Sequence, residues 1–141
     1  MTQQEQIDEL IENFEFLEEW EDRYGFLIDH GRSLPKMEDV LKTEQTKIKG
    51  CQSQVWIFPQ AKQKNGKTVI EFLADSDSSL VKGLVAILHS AYFGQTKDAI
   101  LSYDIEGLLL RLGLSEHLSM NRRNGLMGMI QRIKMFAEVS G

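Results

Sequence analysis

The chain has 141 residues, 42% of them apolar and 26% charged, which suits a single soluble domain over residues 1–141 that can bury a core without disulfides or metal. A net charge of −5 argues against the broad phosphate-neutralising surface of a nucleic-acid-binding protein. No apolar run approaches membrane-spanning length and Met1–Glu5 lacks the basic flank and apolar core of a signal peptide, so the expectation is a cytoplasmic protein that binds neither nucleic acid nor membrane.

Ile7, Leu10, Ile11, Phe14 and Leu17 recur at helical spacing, and after a break near Phe16 to Glu19 the stripe resumes with Trp20, Tyr24, Leu27 and Ile28. Two N-terminal helices are predicted, the second stopping around Gly31 with Pro35 reinforcing the stop. Lys36 to Gly50 is polar and irregular apart from a short helix through Val40. Val55 to Phe58 is β-rich, Asn65-Gly66 is the pair favoured in tight hairpins, and Thr68 to Ala74 is the return strand. Asp75-Ser76-Asp77-Ser78 closes the hairpin and offers N-caps for a helix from Ser79 to Tyr92 that is apolar nearly all round, with Gly83 marking close packing. A short helix capped by Thr96, another from Asp104 to Leu112 ended by Gly113, and a long helix from Ser119 with Leu126, Met129, Ile130, Ile133 and Phe136 inward complete the order. The fold class is α+β, with helices packed on one face of a small antiparallel sheet.

Charge is unevenly placed. Between Glu5 and Asp29 stand ten acidic side chains and one basic one, Arg23, whereas Arg111, Arg122, Arg123, Arg132 and Lys134 come late, a distribution that fits helix surfaces or docking by opposite-sign patches.

One cysteine, Cys51, excludes an internal disulfide, a Cys-x-x-Cys redox pair and a thiolate zinc cage within this chain. Packing, nucleophilic chemistry and transient bonding to another molecule stay open for it. Gly50 lets the chain turn and present Cys51 at a loop tip, Gln52, Ser53 and Gln54 make a buried apolar setting less natural, and Lys47 and Lys49 read equally as a local charge that favours a thiolate or as a solvated strand edge. His30, His89 and His117 lack metal-ligand spacing, and His89 reads as a satisfied core or boundary residue. There is no Gly-x-Gly-x-x-Gly, Walker or Gly-x-Ser-x-Gly motif, and one cysteine cannot hold an iron–sulfur cluster unaided.

The run Gly50-Cys51-Gln52-Ser53-Gln54-Val55-Trp56 resembles the signature of the SufE family of sulfur-acceptor proteins, and Leu34-Pro35, Asp75-Ser76-Asp77, Val81-Lys82-Gly83-Leu84, His117-Leu118-Ser119, Arg122 and Gly125 follow the family's order and spacing. Ala74 stands where the family often has glycine before a turn, and Met120 where it often has proline. The resemblance implies that Cys51 carries persulfide sulfur from a cysteine desulfurase of the SufS type to a scaffold complex of the SufBCD type. The chain is then a protein co-substrate and activator, a monomer or weak homodimer without a cofactor of its own, the pyridoxal phosphate belonging to the desulfurase. Gly50, Gln52, Asp75 and Arg122 become supporting or partner-docking residues, although Asp75 also reads as an N-cap or turn residue and Arg122 as a helix-surface contact. The rivals are a thiol redox sensor and an interaction domain with a structural cysteine.

Overall fold

The computed structural model describes residues 3–49 and 53–140. Helices α1 (Gln3–Phe16) and α2 (Trp20–Arg32) are followed by a 3₁₀ turn (Asp39–Leu41) and the hairpin β1 (Val55–Lys64) and β2 (Lys67–Ser76). Then come α3 (Ser79–Tyr92), β3 (Gln95–Thr96), α4 (Lys97–Ser102), α5 (Ile105–Arg111), α6 (Leu114–His117) and α7 (Met120–Ser140). The expected α+β class is what is observed, an antiparallel sheet in the order β1-β2-β3 packed with helices.

The α1 stripe is Ile7, Leu10, Ile11 and Phe14, all buried. The corner after it is sealed by Arg23, the lone base of the acidic segment. Its Nε donates to the Leu17 carbonyl at 2.7 Å, and its guanidinium lies 5.2 Å from the Phe14 ring centre and 5.0 Å from that of Trp20.

Asn65 and Gly66 both take positive φ, 53° and 77°, which gives the two-residue turn the backbone twist that continues into the strands. The hairpin is longer than its apolar residues indicate: pairing runs without interruption from Val55 opposite Ser76 to Lys64 opposite Lys67. Pro59 is tolerated because β1 is an edge strand. Val55 and Ile57 on β1 and Ile70, Phe72 and Ala74 on β2 supply the buried face. Ala74 pairs with Ile57 within the ladder, so its methyl replaces glycine in a strand and not in the turn expected there.

Helix α3 lies at the centre. Ser78 caps it by accepting from the Val81 N–H at 3.3 Å, and Val81, Leu84, Val85, Ile87, Leu88, Ala91 and Tyr92 are buried around its circumference against α1, α2, α7 and β2. Gly83 is there for contact, as expected: a Cβ on it would collide with the Leu27 carbonyl oxygen of α2. Gly31 answers from the other side, where a Cβ would lie 2.8 Å from the Gly83 nitrogen. The α2 helix ends at Arg32, one residue past Gly31 and so where the sequence places its stop, and Gly31 serves in addition as a packing glycine.

Two short elements escaped the periodicity, β3 and α6, of two and four residues. His89 also departs from expectation. It stacks on Phe93 with ring centres 4.4 Å apart and meets Phe72 edge-on, but its Nε2 is buried without a hydrogen-bond partner among the described residues. Burial, and secondarily the charge of His30, lowers its pKa from 6.5.

Gly83→Ala should cost about 3 kcal/mol in chemical denaturation, because backbone atoms and not a yielding side chain occupy the space; a loss below about 0.5 kcal/mol would contradict this contact. For His89 the folded pKa lies below the unfolded one, so stability is full above pH 6.5 and declines as pH falls from 6.5 towards the folded value. His89→Leu should therefore flatten the stability-versus-pH curve between about pH 7 and 5 while leaving neutral-pH stability within about 1 kcal/mol, since it removes an unpaired buried nitrogen. An unchanged slope would refute this.

Candidate functional site

Cys51, Gly50 and Gln52, together with the expected loop tip, lie outside the described residues, and the site is built from the chain on either side of them. The two limbs are closed into a stem. The Ile48 N–H donates to the Val55 carbonyl at 2.8 Å, Lys47 forms an antiparallel bridge with Trp56, and the Ile57 N–H donates to the Thr46 carbonyl at 2.8 Å. Ile48 and Val55 are therefore the last described pair of the stem on the side of the cysteine.

Each limb has its own anchor. On the outgoing side Thr46, only 8% exposed, donates from Oγ1 to the Leu41 carbonyl at 2.7 Å and accepts from the Thr43 N–H at 3.0 Å, tying the 3₁₀ turn to the stem. From α7, Arg132 donates to the Gln45 carbonyl at 3.0 Å and the Lys47 carbonyl at 3.3 Å. On the returning side the Gln54 N–H donates to Asp77 Oδ1 at 3.0 Å, and the Asp77 N–H returns a bond to the Gln54 carbonyl at 3.2 Å.

Beside the returning limb opens a cavity of about 300 Å³, lined by Ser53 and Val55, by Val81 of α3, and by Ser119, Asn121, Arg122 and Gly125 at the start of α7. Ser119 Oγ accepts from the Arg122 N–H at 3.3 Å, opening α7 as expected. Met120 is 70% exposed at the first helical position, where proline is equally at home, so that departure leaves the helix entry intact. Arg122, singled out with Cys51 in the sequence, is thus brought to the wall that Ser53 shares. Its guanidinium forms none of the ion pairs found among the described residues. Ser53 and Arg122 are remote in sequence, and no local pattern signals their meeting.

Asp75 is neither N-cap nor turn residue. It pairs with Trp56 within the ladder and forms ion pairs with Lys42 at 2.8 Å and Lys82 at 3.4 Å, its side chain only 18% exposed. Lys42 Nζ also sits 5.3 Å from the Trp56 ring centre. Partial burial alone would raise the Asp75 pKa. The hydrogen bonds from Lys42 and the Ser76 N–H, with the charges of Lys82 and Lys42, outweigh it and hold the carboxyl below 3.8. Asp75 thereby binds the 3₁₀ segment and α3 to the strand that carries the stem.

Lys49, His117 and His30 have partners of their own. Lys49, placed by its position to favour a thiolate, pairs with Glu44 at 2.9 Å on the surface. His117 stacks on Trp20 with ring centres 3.7 Å apart, its carbonyl accepting from the Tyr24 hydroxyl at 3.1 Å. His30 meets Phe26 and the Ser90 hydroxyl.

Comparison with known proteins decides the family. The sequence matches the model of the SufE Fe-S metabolism associated domain over residues 8–137. This chain belongs to the SufE family. It is 42% identical to an uncharacterized SufE-like protein of Rhizobium meliloti over 132 residues, covering 94% of both chains. A SufE-like protein of Rhizobium etli is 38% identical over 133 residues, covering 94% of this chain and 90% of its own. A hypothetical protein from Thermus thermophilus, whose structure was solved in solution, shares the fold with a TM-score of 0.72 at 20% identity, over 96% of this chain and 95% of its own. SufE membership places the chain in iron–sulfur metabolism. No helix among the described residues is long and apolar enough to cross a membrane.

Because the folded-state pKa of Asp75 lies below its unfolded value, its stabilising contribution is complete above about pH 4 and is lost as pH falls through the folded value. Asp75→Asn should cost about 1–2 kcal/mol at pH 7 by leaving Lys42 and Lys82 without their carboxylate, with the deficit narrowing below about pH 4. Denaturant titrations of both proteins at pH 7 and pH 3 test this; a deficit that widens in acid would count against the hub.

Proposed function

We propose that this SufE-family protein is a sulfur acceptor that takes persulfide sulfur from a pyridoxal-phosphate cysteine desulfurase of the SufS type onto Cys51. It then delivers that sulfur to an iron–sulfur scaffold complex of the SufBCD type. The observation that carries the reading is the stem. The chain on either side of the single thiol is paired at Ile48 and Val55, and its returning limb borders a cavity also lined by Arg122 and Ser119. Function placed on a loop that a rigid ladder positions is a common arrangement.

The chemistry follows thiol–disulfide exchange. The Cys51 thiolate attacks the terminal sulfur of the desulfurase persulfide; a sulfur–sulfur bond forms to Cys51 while the bond to the desulfurase cysteine breaks, and that cysteine leaves as thiolate. Oxidation state is conserved, since sulfane sulfur moves from one thiol to another. Removing the persulfide frees the desulfurase for its next turnover, which makes the acceptor an activator and co-substrate, not an enzyme acting alone. Because the chain has one cysteine, no neighbouring thiol of its own can expel the carried sulfur by closing a disulfide. Asp75 supports this role by holding the stem strand, and Arg122 by its place on the cavity wall; docking of the partner is assigned to the surface around Arg122, with Gly50 and Gln52 flanking the thiol.

Incubation with L-cysteine and a SufS-type desulfurase, followed by intact-mass measurement, should show sulfur added to Cys51 and removed by reductant. Cys51→Ser should abolish the adduct and the stimulation of desulfurase turnover while keeping the unfolding transition. Rapid peroxide oxidation without a sulfur adduct would point instead to a redox sensor, and a thiol inert in the folded protein to a structural cysteine.

A further inference from the structure

Resting on the reading of Cys51 as the sulfur acceptor, we infer that Arg132 is a positioning residue, which straps the outgoing limb of the cysteine segment to α7 and so fixes the stem relative to the cavity. The two limbs are unequally held. The returning limb runs straight into the ten-residue ladder of β1 and β2. The outgoing limb, residues 45–48, is no strand; its backbone links to the sheet among the described residues are the Lys47–Trp56 bridge and the two flanking hydrogen bonds, with the Ile48 side chain buried in the core beside them.

Arg132 makes up the difference from the opposite side. Its Nη1 and Nη2 donate to the carbonyls of Gln45 and Lys47 at 3.0 and 3.3 Å, one planar group spanning two acceptors two residues apart. Among the described residues it forms no ion pair, so its charge is directed at the backbone alone. One turn earlier, Gly128 gives the limb its clearance: a Cβ there would lie 3.0 Å from Ile48 Cγ2. The same helix carries Arg122 on the cavity wall, ten residues or about 15 Å before Arg132. A single rigid helix therefore both walls the cavity and holds the stem, and Arg132 is the polar link between them.

The test is Arg132→Gln, which keeps a polar side chain but cannot span both carbonyls, beside Arg132→Lys, which keeps the charge as a single point donor. In hydrogen exchange on the free protein, the Lys47 and Ile48 amides should exchange about tenfold faster in both variants, with the β1–β2 amides unchanged. In single-turnover transfer from a persulfidated SufS-type desulfurase, the saturating rate should fall about tenfold while the half-saturating concentration moves less than about twofold, because reacting geometry and not docking is disturbed. Wild-type transfer in Arg132→Gln, or full restoration by Arg132→Lys, would overturn the inference; restoration by lysine would mean that charge and not the fork matters. Should Arg132→Gln not fold, Arg132→Lys decides alone by the same two readouts. If wild-type Cys51 accepts no sulfur, the acceptor reading fails and the transfer role of Arg132 with it, whereas unchanged Lys47 and Ile48 exchange would refute the strap itself.

Discussion

Helix α3 meets α2 backbone to backbone where Gly83 and Gly31 face each other. At Gly83 the backbone of one helix lies against the Leu27 carbonyl of the other, and Gly31 removes the reciprocal obstacle. That approach draws α3 deep enough for β2, α1 and α7 to pack around it, so residues on every side of the helix are buried. A larger residue at either glycine would push α2 and α3 apart and, through α3, disturb the sheet behind it. The His89 Nε2 and Tyr92 hydroxyl, without hydrogen-bond partners among the described residues, are consequences of the same burial, polar atoms carried into a helix surrounded by apolar neighbours. Burial pushes the Tyr92 phenol above its ordinary pKa, so it stays neutral where it sits.

The site inherits its frame from that helix. Val81 forms one wall of the cavity, Lys82 reaches Asp75 on β2, and Ser78 caps α3 directly after Asp77 has bonded to the returning limb. Within one helical turn α3 thus supplies packing, charge and a boundary to the segment holding Cys51. Asp75 extends the frame to the 3₁₀ turn through Lys42. An ion pair this sheltered is a costly way to gain stability, since two desolvated charges recover little net energy. Its more specific effect is geometric, because a carboxylate with two lysines fixes three separate stretches of chain at one point.

Where local pattern and tertiary need agreed, the sequence was legible. Asn65-Gly66 marked the hairpin because few other residue pairs tolerate positive φ twice in succession, and Ser78, Thr96 and Asp104 announced helix starts because each can accept from a backbone N–H three residues on. Gly83 was readable as a packing glycine because it interrupts an otherwise apolar helix. The family signature around Cys51 was visible as a run of residue types. The rest depended on distance in space. Asp75 looked like a cap because Asp-Ser-Asp-Ser is rich in caps, yet Ser78 took that role and left Asp75 in the strand. Gly31 does mark the end of α2 to within one residue, but its contact with the helix opposite gave no local signal. Residues 45–48 have no periodicity to betray a stem, since their hydrogen bonds are shared among the 3₁₀ turn and Thr43 before them, strand β1 after them and an arginine in the last helix.

The late basic residues show how charge counted along a chain differs from charge presented to a partner. Arg111 is paired with Glu15, Arg123 donates to the Ser115 carbonyl and Arg132 to the stem, so three of the five are engaged within the fold. Arg122 stands at the cavity wall with hydroxyl and amide neighbours, a single guanidinium and not a basic patch. The net charge of −5 gives the molecule a negative far field that attracts a basic partner surface at long range and weakens with salt. At the cavity, discrimination must instead come from shape and a few directed donors, because one cation beside Ser53 and Ser119 offers geometry more than attraction. Long-range approach and short-range recognition are therefore carried by different residues, and raising the ionic strength should slow encounter far more than it alters the geometry in which the thiol reacts.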